Sequence, residues 1–364
     1  MKITFVLPAV NLSGGIRVVL IHAKALRDMG HDVHLVAPPA RQLAFRESLK
    51  RFIRGKGWRR TAEWEPAANF SMLEDYALAC NMLDRWRPVT DEDVPDADVI
   101  IATWWETAEW VNALSRRKGI KIYFVQGHET FNNGEKAGNT YWLPLHKIVV
   151  SKWLQDVMRV LYRDESCSLV ENAVDHSLFN APPRTRQKRF TVGFLASKAA
   201  VKNTDLAIDA VVEAKRHLPD LRVIAFGAHQ PNQALPSWIE YSKSPPQETI
   251  PGIYSSCDAW LSTSRSEGFG LPLLEAMACR TPVLSTHAGI APEIVSGDNG
   301  RLLPHSAQAF ADAMIELSAL SETEWEKLSE NACSKSREYA WDLSSKKFES
   351  ALLNQVESQR PSKR

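Results

Sequence analysis

Short apolar runs alternate with helical patterns twice over along this chain, and that alternation leaves few architectures open. In the first half the runs are ITFVLPA, DVHLVAP, DVIIAT, KIYFVQG and KIVVS; in the second they are FTVGFLA, LRVIAFG, AWLSTS and PVLST. Runs apolar at nearly every position suit strands covered on both faces, as parallel sheets require. Helical patterns fall between them. One is GIRVVLIHAKALRDMG, which closes on Gly30 as a helix should. The repeated βαβ order predicts two doubly wound α/β domains, and 364 residues are enough for two cores. Residues 179–190, FNAPPRTRQKRF, hold two prolines and the basic side chains Arg184, Arg186, Lys188 and Arg189 between two strand signals. They predict an exposed linker. Ligands of such sheets bind beyond the carboxyl ends of the strands, so two such domains predict a cleft between them.

The totals exclude several classes. A net charge of +1 gives no reason to expect a nucleic-acid partner. The five cysteines are scattered, with no metal or redox spacing, which predicts reduced thiols and a cytoplasmic location. MKITFVLPAV reads as a first strand and not as a signal peptide. Nowhere do 18 consecutive apolar residues predict a membrane span. No histidine cluster at ligand spacing accompanies the two Asp-x-Asp pairs, Asp91 with Asp93 and Asp96 with Asp98, so no metal site is predicted.

The most informative stretch is SRSEGFGLPLLEAMA, residues 264–278. Glu267 precedes Gly268, Phe269 and Gly270; Leu271 and Pro272 follow, and Glu275 falls in the first turns of a predicted helix starting at Pro272. A helix start offers free N–H groups and a positive dipole end to an anion, and glycines let backbone approach a phosphate closely. A carboxylate at Glu275 can accept hydrogen bonds from two neighbouring hydroxyls, the geometry of a ribose diol. Glu267 can do the same for a sugar or balance charge at a reacting carbon. A helix-favouring Glu275 and a solvated Glu267 would be the plain structural alternative.

With its continuation, SRSEGFGLPLLEAMACRTPVLSTHAG resembles the nucleotide-sugar signature of retaining glycosyltransferases of family 4. The resemblance covers nearly the whole chain in order: LSGGIRVV, VSKWLQDVM, NAVDHSLF and YAWDLSSKKFESAL look like successive segments of that family. It implies the GT-B fold, two Rossmann-like domains facing a donor cleft, with residues 1–180 on the acceptor side, 181–340 binding the nucleotide sugar, and 341–364 a closing helix that returns to the first domain. It implies that Glu267 contacts the donor sugar and Glu275 the ribose, and that Gly268, Phe269, Gly270 and Leu271 line the donor site.

Further candidates stand beside these. Gly14 and Gly15, in SGGIR after the first strand, can bring N–H groups to a diphosphate or make room for an acceptor; a plain turn is the alternative. His128, in FVQGHETF, matches a family histidine near the reacting sugar and can donate to a sugar hydroxyl. In FLASKAAVKNTD, Lys202 matches the family's phosphate-binding lysine, but Ser197 stands where an arginine is usual and Asn203 where a glycine is. Lys198 is the neighbouring candidate for the missing charge, without the bidentate fork of an arginine. Trp104 and Trp105, in ATWWETAEW, suit either stacking on a sugar or acceptor, or anchoring the core.

Residues 40–60 carry eight Lys/Arg against one acid, Glu47. The pattern reads equally as a basic amphipathic helix on an anionic membrane surface, through residues 41–60, or as an ordinary helix with a solvated basic face. The reaction implied is transfer of a sugar from a nucleoside diphosphate to an acceptor hydroxyl with retention, without metal or cofactor. A glycan or lipid-linked glycan of cell-surface polysaccharide assembly is the acceptor class that family habit suggests. A nucleotide-sugar epimerase on the same fold, and a non-catalytic nucleotide-sugar-binding or membrane-docking protein, are the rival readings.

Overall fold

The structure is a computed structural model. It describes residues 1–10, 13–39, 53, 73, 74, 76–230 and 233–359, with backbone alone for 131–133. The chain forms two compact units, Met1–Val170 with Asp342–Arg364, and Glu171–Trp341.

In the first unit the strands are β1 (Lys2–Val6), β2 (Asp32–Ala37), β3 (Cys80–Met82), β4 (Val99–Ala102), β5 (Ile120–Val125), β6 (His146–Val149) and β7 (Ser168–Leu169). Among the described residues they form one seven-stranded sheet, order β3-β2-β1-β4-β5-β6-β7, with every pair parallel. Helices α1 (Gly14–Asp28), α2 (Trp105–Ala113), α3 (Thr130–Thr140) and α4 (Lys152–Tyr162) follow β1, β4, β5 and β6. In α1 the Ser13 hydroxyl accepts from the Ile16 N–H, 3.4 Å, capping the first turn. Ile16, Val19, Leu20, Ala23 and Leu26 recur at helical spacing and are buried. Gly30 ends the helix at φ 93°, a conformation glycine adopts without Cβ strain.

In the second unit β8 (Thr191–Leu195), β9 (Arg222–Gly227), β10 (Ile239–Lys243), β11 (Ala259–Ser262), β12 (Val283–Ser285) and β13 (Gly300–Leu302) give a six-stranded sheet among the described residues, order β10-β9-β8-β11-β12-β13. It too is all parallel. Its helices are α5 (Thr204–His217), α6 (Ile250–Ser255), α7 (Leu271–Ala278), α8 (Ala291–Ile294), α9 (Ala307–Ala319) and α10 (Glu322–Ser336). One face of the sheet, through Val192, Phe194, Val223, Ala225 and Leu261, packs with α5 and α9 in a single core; the alanines at 207, 210 and 214 of α5 and Phe310 and Met314 of α9 belong to it. Trp260, fully buried in β11, is paired in register with Gly193 of β8. A Cβ at Gly193 would lie 2.7 Å from the indole Cε3, so this strand position accommodates only glycine beside that ring.

The last helix, α11 (Trp341–Ser358), belongs to the first unit from Asp342 onward. Its Phe348 is fully buried against Phe5, His22 and Phe124, with ring centroids 6.2, 4.5 and 5.0 Å away. His22 is fully buried as well; Ser345 Oγ lies 3.2 Å from its Nδ1, and burial pushes the imidazole down to about 3.

The segment 179–190, expected as an exposed linker, is exposed only in part. Pro182, Pro183, Thr185, Lys188 and Arg189 are exposed, but Phe179 is buried. Arg184 donates to the carbonyls of Cys257 and Arg280 and to Thr281 Oγ1, at 2.5, 3.2 and 3.0 Å, and its guanidinium lies over the Trp325 ring. Asp258, fully buried, accepts from the N–H groups of Gln187 and Thr191, both at 2.8 Å. The prolines and basic residues therefore mark a strap laid on the second unit.

The basic stretch 41–60 lies, apart from Ile53, outside the described residues. Among the described residues no helix is long and apolar enough to cross a membrane.

Candidate functional site

Both sheets change direction at one place. In the first unit the order reverses between β1 and β4, and in the second between β8 and β11. The carboxyl ends of such strand pairs are where doubly wound sheets bind ligands, because the following loops part there.

In the second unit the loop after β8 carries Ser197, Lys198 and Lys202, and the loop after β11 carries Ser264, Arg265 and Glu267. Lys202 Nζ donates to both carboxylate oxygens of Glu267, each at 2.7 Å, and Ser264 Oγ donates to Oε1 at 2.6 Å. The two loops are stitched together. Arg265 N–H donates to Val201 O at 2.8 Å, and Thr263 Oγ1 to Asn203 O at 3.1 Å. A small pocket opens at this point, lined by Lys202, Ser264, Glu267, Gly270 and Pro272 among others.

The glycine loop is held from behind. Gly270 precedes α7 at φ 107°, and the helix begins at Leu271, so Pro272 is its second residue. Ile290 N–H donates to Phe269 O at 2.7 Å. Gly289, at φ 60°, backs the same loop; a Cβ there would collide with Phe269 O and lie 2.7 Å from Glu267 Cβ. On α7, Glu275 Oε2 accepts from Tyr254 Oη at 2.8 Å. Burial and that carboxylate push the Tyr254 phenol well above its ordinary value, so it stays a donor at neutral pH.

The two departures in the β8 loop have local explanations. The Ser197 hydroxyl accepts from Ala199 N–H at 3.2 Å, and the Ser197 N–H donates to Thr204 Oγ1 at 2.9 Å, so this residue folds its own loop. Asn203 adopts φ 50°, ψ 45°, the left-handed region that asparagine tolerates better than other side chains, which is what a glycine would otherwise supply. Lys198 is exposed.

In the first unit Gly14 and Gly15 open α1 just beyond β1, and Gln126 Nε2, beyond β5, donates to Gly15 O at 3.1 Å. Trp104 and Trp105 are half-buried at the start of α2. Thr103 Oγ1 ties the end of β4 to Val6 O of β1 at 2.9 Å. His128 Nε2 lies 2.8 Å from Tyr162 Oη, and burial lowers its pKa, favouring the neutral imidazole. Its neighbour Glu129 accepts from Trp105 N–H at 3.2 Å, and burial pushes that carboxyl up to about 8. Tyr141 Oη donates to Gly127 O and accepts from Glu129 N–H, both at 3.0 Å. The structure thus places Trp104, Trp105, His128, Gly14 and Gly15 beyond the carboxyl ends of β1, β4 and β5 in the first sheet, and Lys202, Glu267 and Gly270 beyond those of β8 and β11 in the second. Reading the sequence did not single out Glu129, Tyr162, Tyr254, Ser264 or Arg265 for a role. Ser264 and Arg265 stand just before Glu267 in the sequence and Glu129 adjoins His128, while no local pattern marks Tyr162 or Tyr254. Among the described residues no group of three or more His, Cys, Asp or Glu is placed to hold a metal ion.

Residues 189–319 match the family model described as glycosyl transferases group 1. The chain is similar to the O-antigen chain mannosyltransferase B of Escherichia coli, 30% identical over 107 residues, which are 29% of this chain and 27% of that protein. It is also similar to the D-inositol 3-phosphate glycosyltransferase of Corynebacterium aurimucosum, 33% identical over 35% of this chain and 34% of the other. The chain thus spans about a third or less of the length of these curated relatives. Among solved structures, Anabaena HepE in complex with UDP-glucose superposes with a TM-score of 0.74 at 18% identity, covering 98% of this chain and 100% of that one. Sucrose-phosphate synthase from Thermosynechococcus elongatus gives 0.71 at 14%, covering 98% and 99%. Two parallel-sheet α/β units with these neighbours define a GT-B fold.

Proposed function

We propose that the chain is a glycosyltransferase that takes a sugar from a nucleoside-diphosphate donor and passes it to an acceptor hydroxyl. The observation that carries this reading is the Lys202–Glu267 pair at the β8/β11 switch point, inside the segment that matches the group 1 glycosyl transferases. Lys202, the Gly268–Gly270 loop and the start of α7 are assigned to the diphosphate, whose negative charge grows as the sugar–phosphate bond breaks. Glu267 is assigned to the sugar. Glu275, oriented by Tyr254, is assigned to the ribose diol. Retention of configuration follows if the acceptor attacks from the face the diphosphate leaves and the diphosphate takes its proton; no metal enters this scheme. Gly14, Gly15, Trp104, Trp105 and His128 are assigned to the sugar and acceptor. The similarity to an O-antigen chain mannosyltransferase supports a glycan or lipid-linked glycan as acceptor, in cell-surface polysaccharide assembly.

Thermal melts with UDP, GDP, ADP, dTDP and NAD, on the wild type and on Glu275→Ala, test the reading. A ligand at 100 times its dissociation constant adds about 2.7 kcal/mol. One diphosphate that stabilises the wild type and not Glu275→Ala is the expected result. Stabilisation by none of them, or by NAD alone, overturns it. Incubation with the donor sugar nucleotide alone separates an epimerase, which forms product without an acceptor.

A further inference from the structure

A diphosphate at the β8/β11 edge needs positive charge there, and the most evident cation does not supply it unaided. Lys202 is paired through both oxygens with Glu267, so the two together carry no net charge. Ser197 turns its hydroxyl into its own loop. Arg265 is placed differently. It is exposed, it lies in the chain between the pocket-lining Ser264 and Glu267, and its backbone N–H is anchored to Val201 O, one residue before Lys202. Its guanidinium Nη2 lies 3.3 Å from the side-chain oxygen of Asn203, one residue after Lys202. That partner is a neutral amide, and among the described residues no carboxylate forms an ion pair with Arg265. The backbone of Arg265 is thus anchored on one flank of the residue that pairs with Glu267, and its uncompensated planar fork rests against the other.

We infer that Arg265 is the phosphate-binding arginine of this chain, delivered from the β11 loop and aimed by Asn203, and that it takes the nucleoside diphosphate together with Lys202. The inference rests on the donor reading above. A guanidinium meets phosphate oxygens with two parallel N–H donors, which the point charge of Lys198 cannot reproduce. The bond to Asn203 occupies one N–H of Nη2 and leaves the other guanidinium N–H groups for a phosphate. Asn203 is in this scheme a positioning residue: its left-handed backbone turns the amide toward the β11 loop.

Calorimetric titration of the full chain with UDP, GDP, ADP and dTDP, and with the nucleoside matching whichever binds, tests this. The variants are Arg265→Ala, Arg265→Lys, Asn203→Gly and Lys198→Ala. Arg265→Ala is expected to weaken the diphosphate at least tenfold and leave the nucleoside within twofold, which also shows that the site is still folded. Arg265→Lys should recover part of the loss, and Asn203→Gly should show a smaller loss of the same kind. Diphosphate affinity unchanged in Arg265→Ala, or a loss found in Lys198→Ala instead, overturns the inference while the donor reading stands. A wild type that binds none of the four diphosphates overturns the donor reading, and this inference with it.

Discussion

Glu129 makes a prediction that does not depend on any substrate. Its carboxyl accepts the Trp105 N–H, and burial raises its pKa from 4.5 to about 8. A group whose folded pKa lies above its unfolded one stabilises the fold fully below the unfolded value, and that contribution is lost as pH rises through the folded value. The window is therefore pH 4.5 to about 8. Each pH unit within it is worth about 1.36 kcal/mol, so two units between pH 6 and 8 set a ceiling of about 2.7 kcal/mol; the slope falls off as pH nears the folded value and partial exposure lowers it further, leaving about 2 kcal/mol. For a unit of this size that is about 4–8 °C in Tm. Glu129→Gln keeps the shape and the acceptor oxygen for Trp105 and removes the titration. Melts of wild type and Glu129→Gln at pH 6, 7 and 8 should therefore diverge, with the wild type losing ground as pH rises. Parallel pH profiles for the two proteins would refute the argument, because they would mean that the buried carboxyl is ionised throughout.

His22 has the opposite sign. Its folded pKa of about 3 lies below the ordinary 6.5, so stability is complete above 6.5 and falls by about 2 kcal/mol between pH 7 and 5; His22→Gln should melt without that acid limb. Gly289→Ala places a Cβ against Phe269 O and Glu267 Cβ at φ 60°. It should cost at least about 1–2 kcal/mol of stability, the part due to the left-handed backbone alone, and weaken diphosphate binding by calorimetry, while Gly297→Ala, whose Cβ meets only Arg301 Nη1 at 4.0 Å, should leave binding unchanged.

The strands announced by apolar runs are the interior ones. β3, β7, β10 and β13 carry no such run, and they are the four edges of the two sheets. Interior strands are covered on both faces and hydrogen-bonded on both sides, so nearly every side chain must be apolar. β10, IEYSK, buries only Ile239 fully, and β7 is two residues long; neither needs a legible pattern. The site divides in the same way. Glu267, Lys202 and the glycine loop are visible because short spacing fixes their chemistry. Glu129 meets Trp105 across 24 positions and Tyr162 meets His128 across 34, through packing that no local pattern encodes. The attachment of 179–190 is not legible either, because prolines and basic residues signal the absence of regular structure and not the absence of contacts: Arg184 finds its carbonyl partners 73 and 96 positions away.

The placement of α11 also orders events during synthesis. The whole of Glu171–Trp341 leaves the ribosome before Phe348, which fills the space between Phe5, His22 and Phe124. The unit whose strands are made first is therefore the one finished last. Until the closing helix emerges, its sheet presents an uncovered apolar face of the kind that chaperones bind. The second unit is continuous in the chain and waits for nothing downstream.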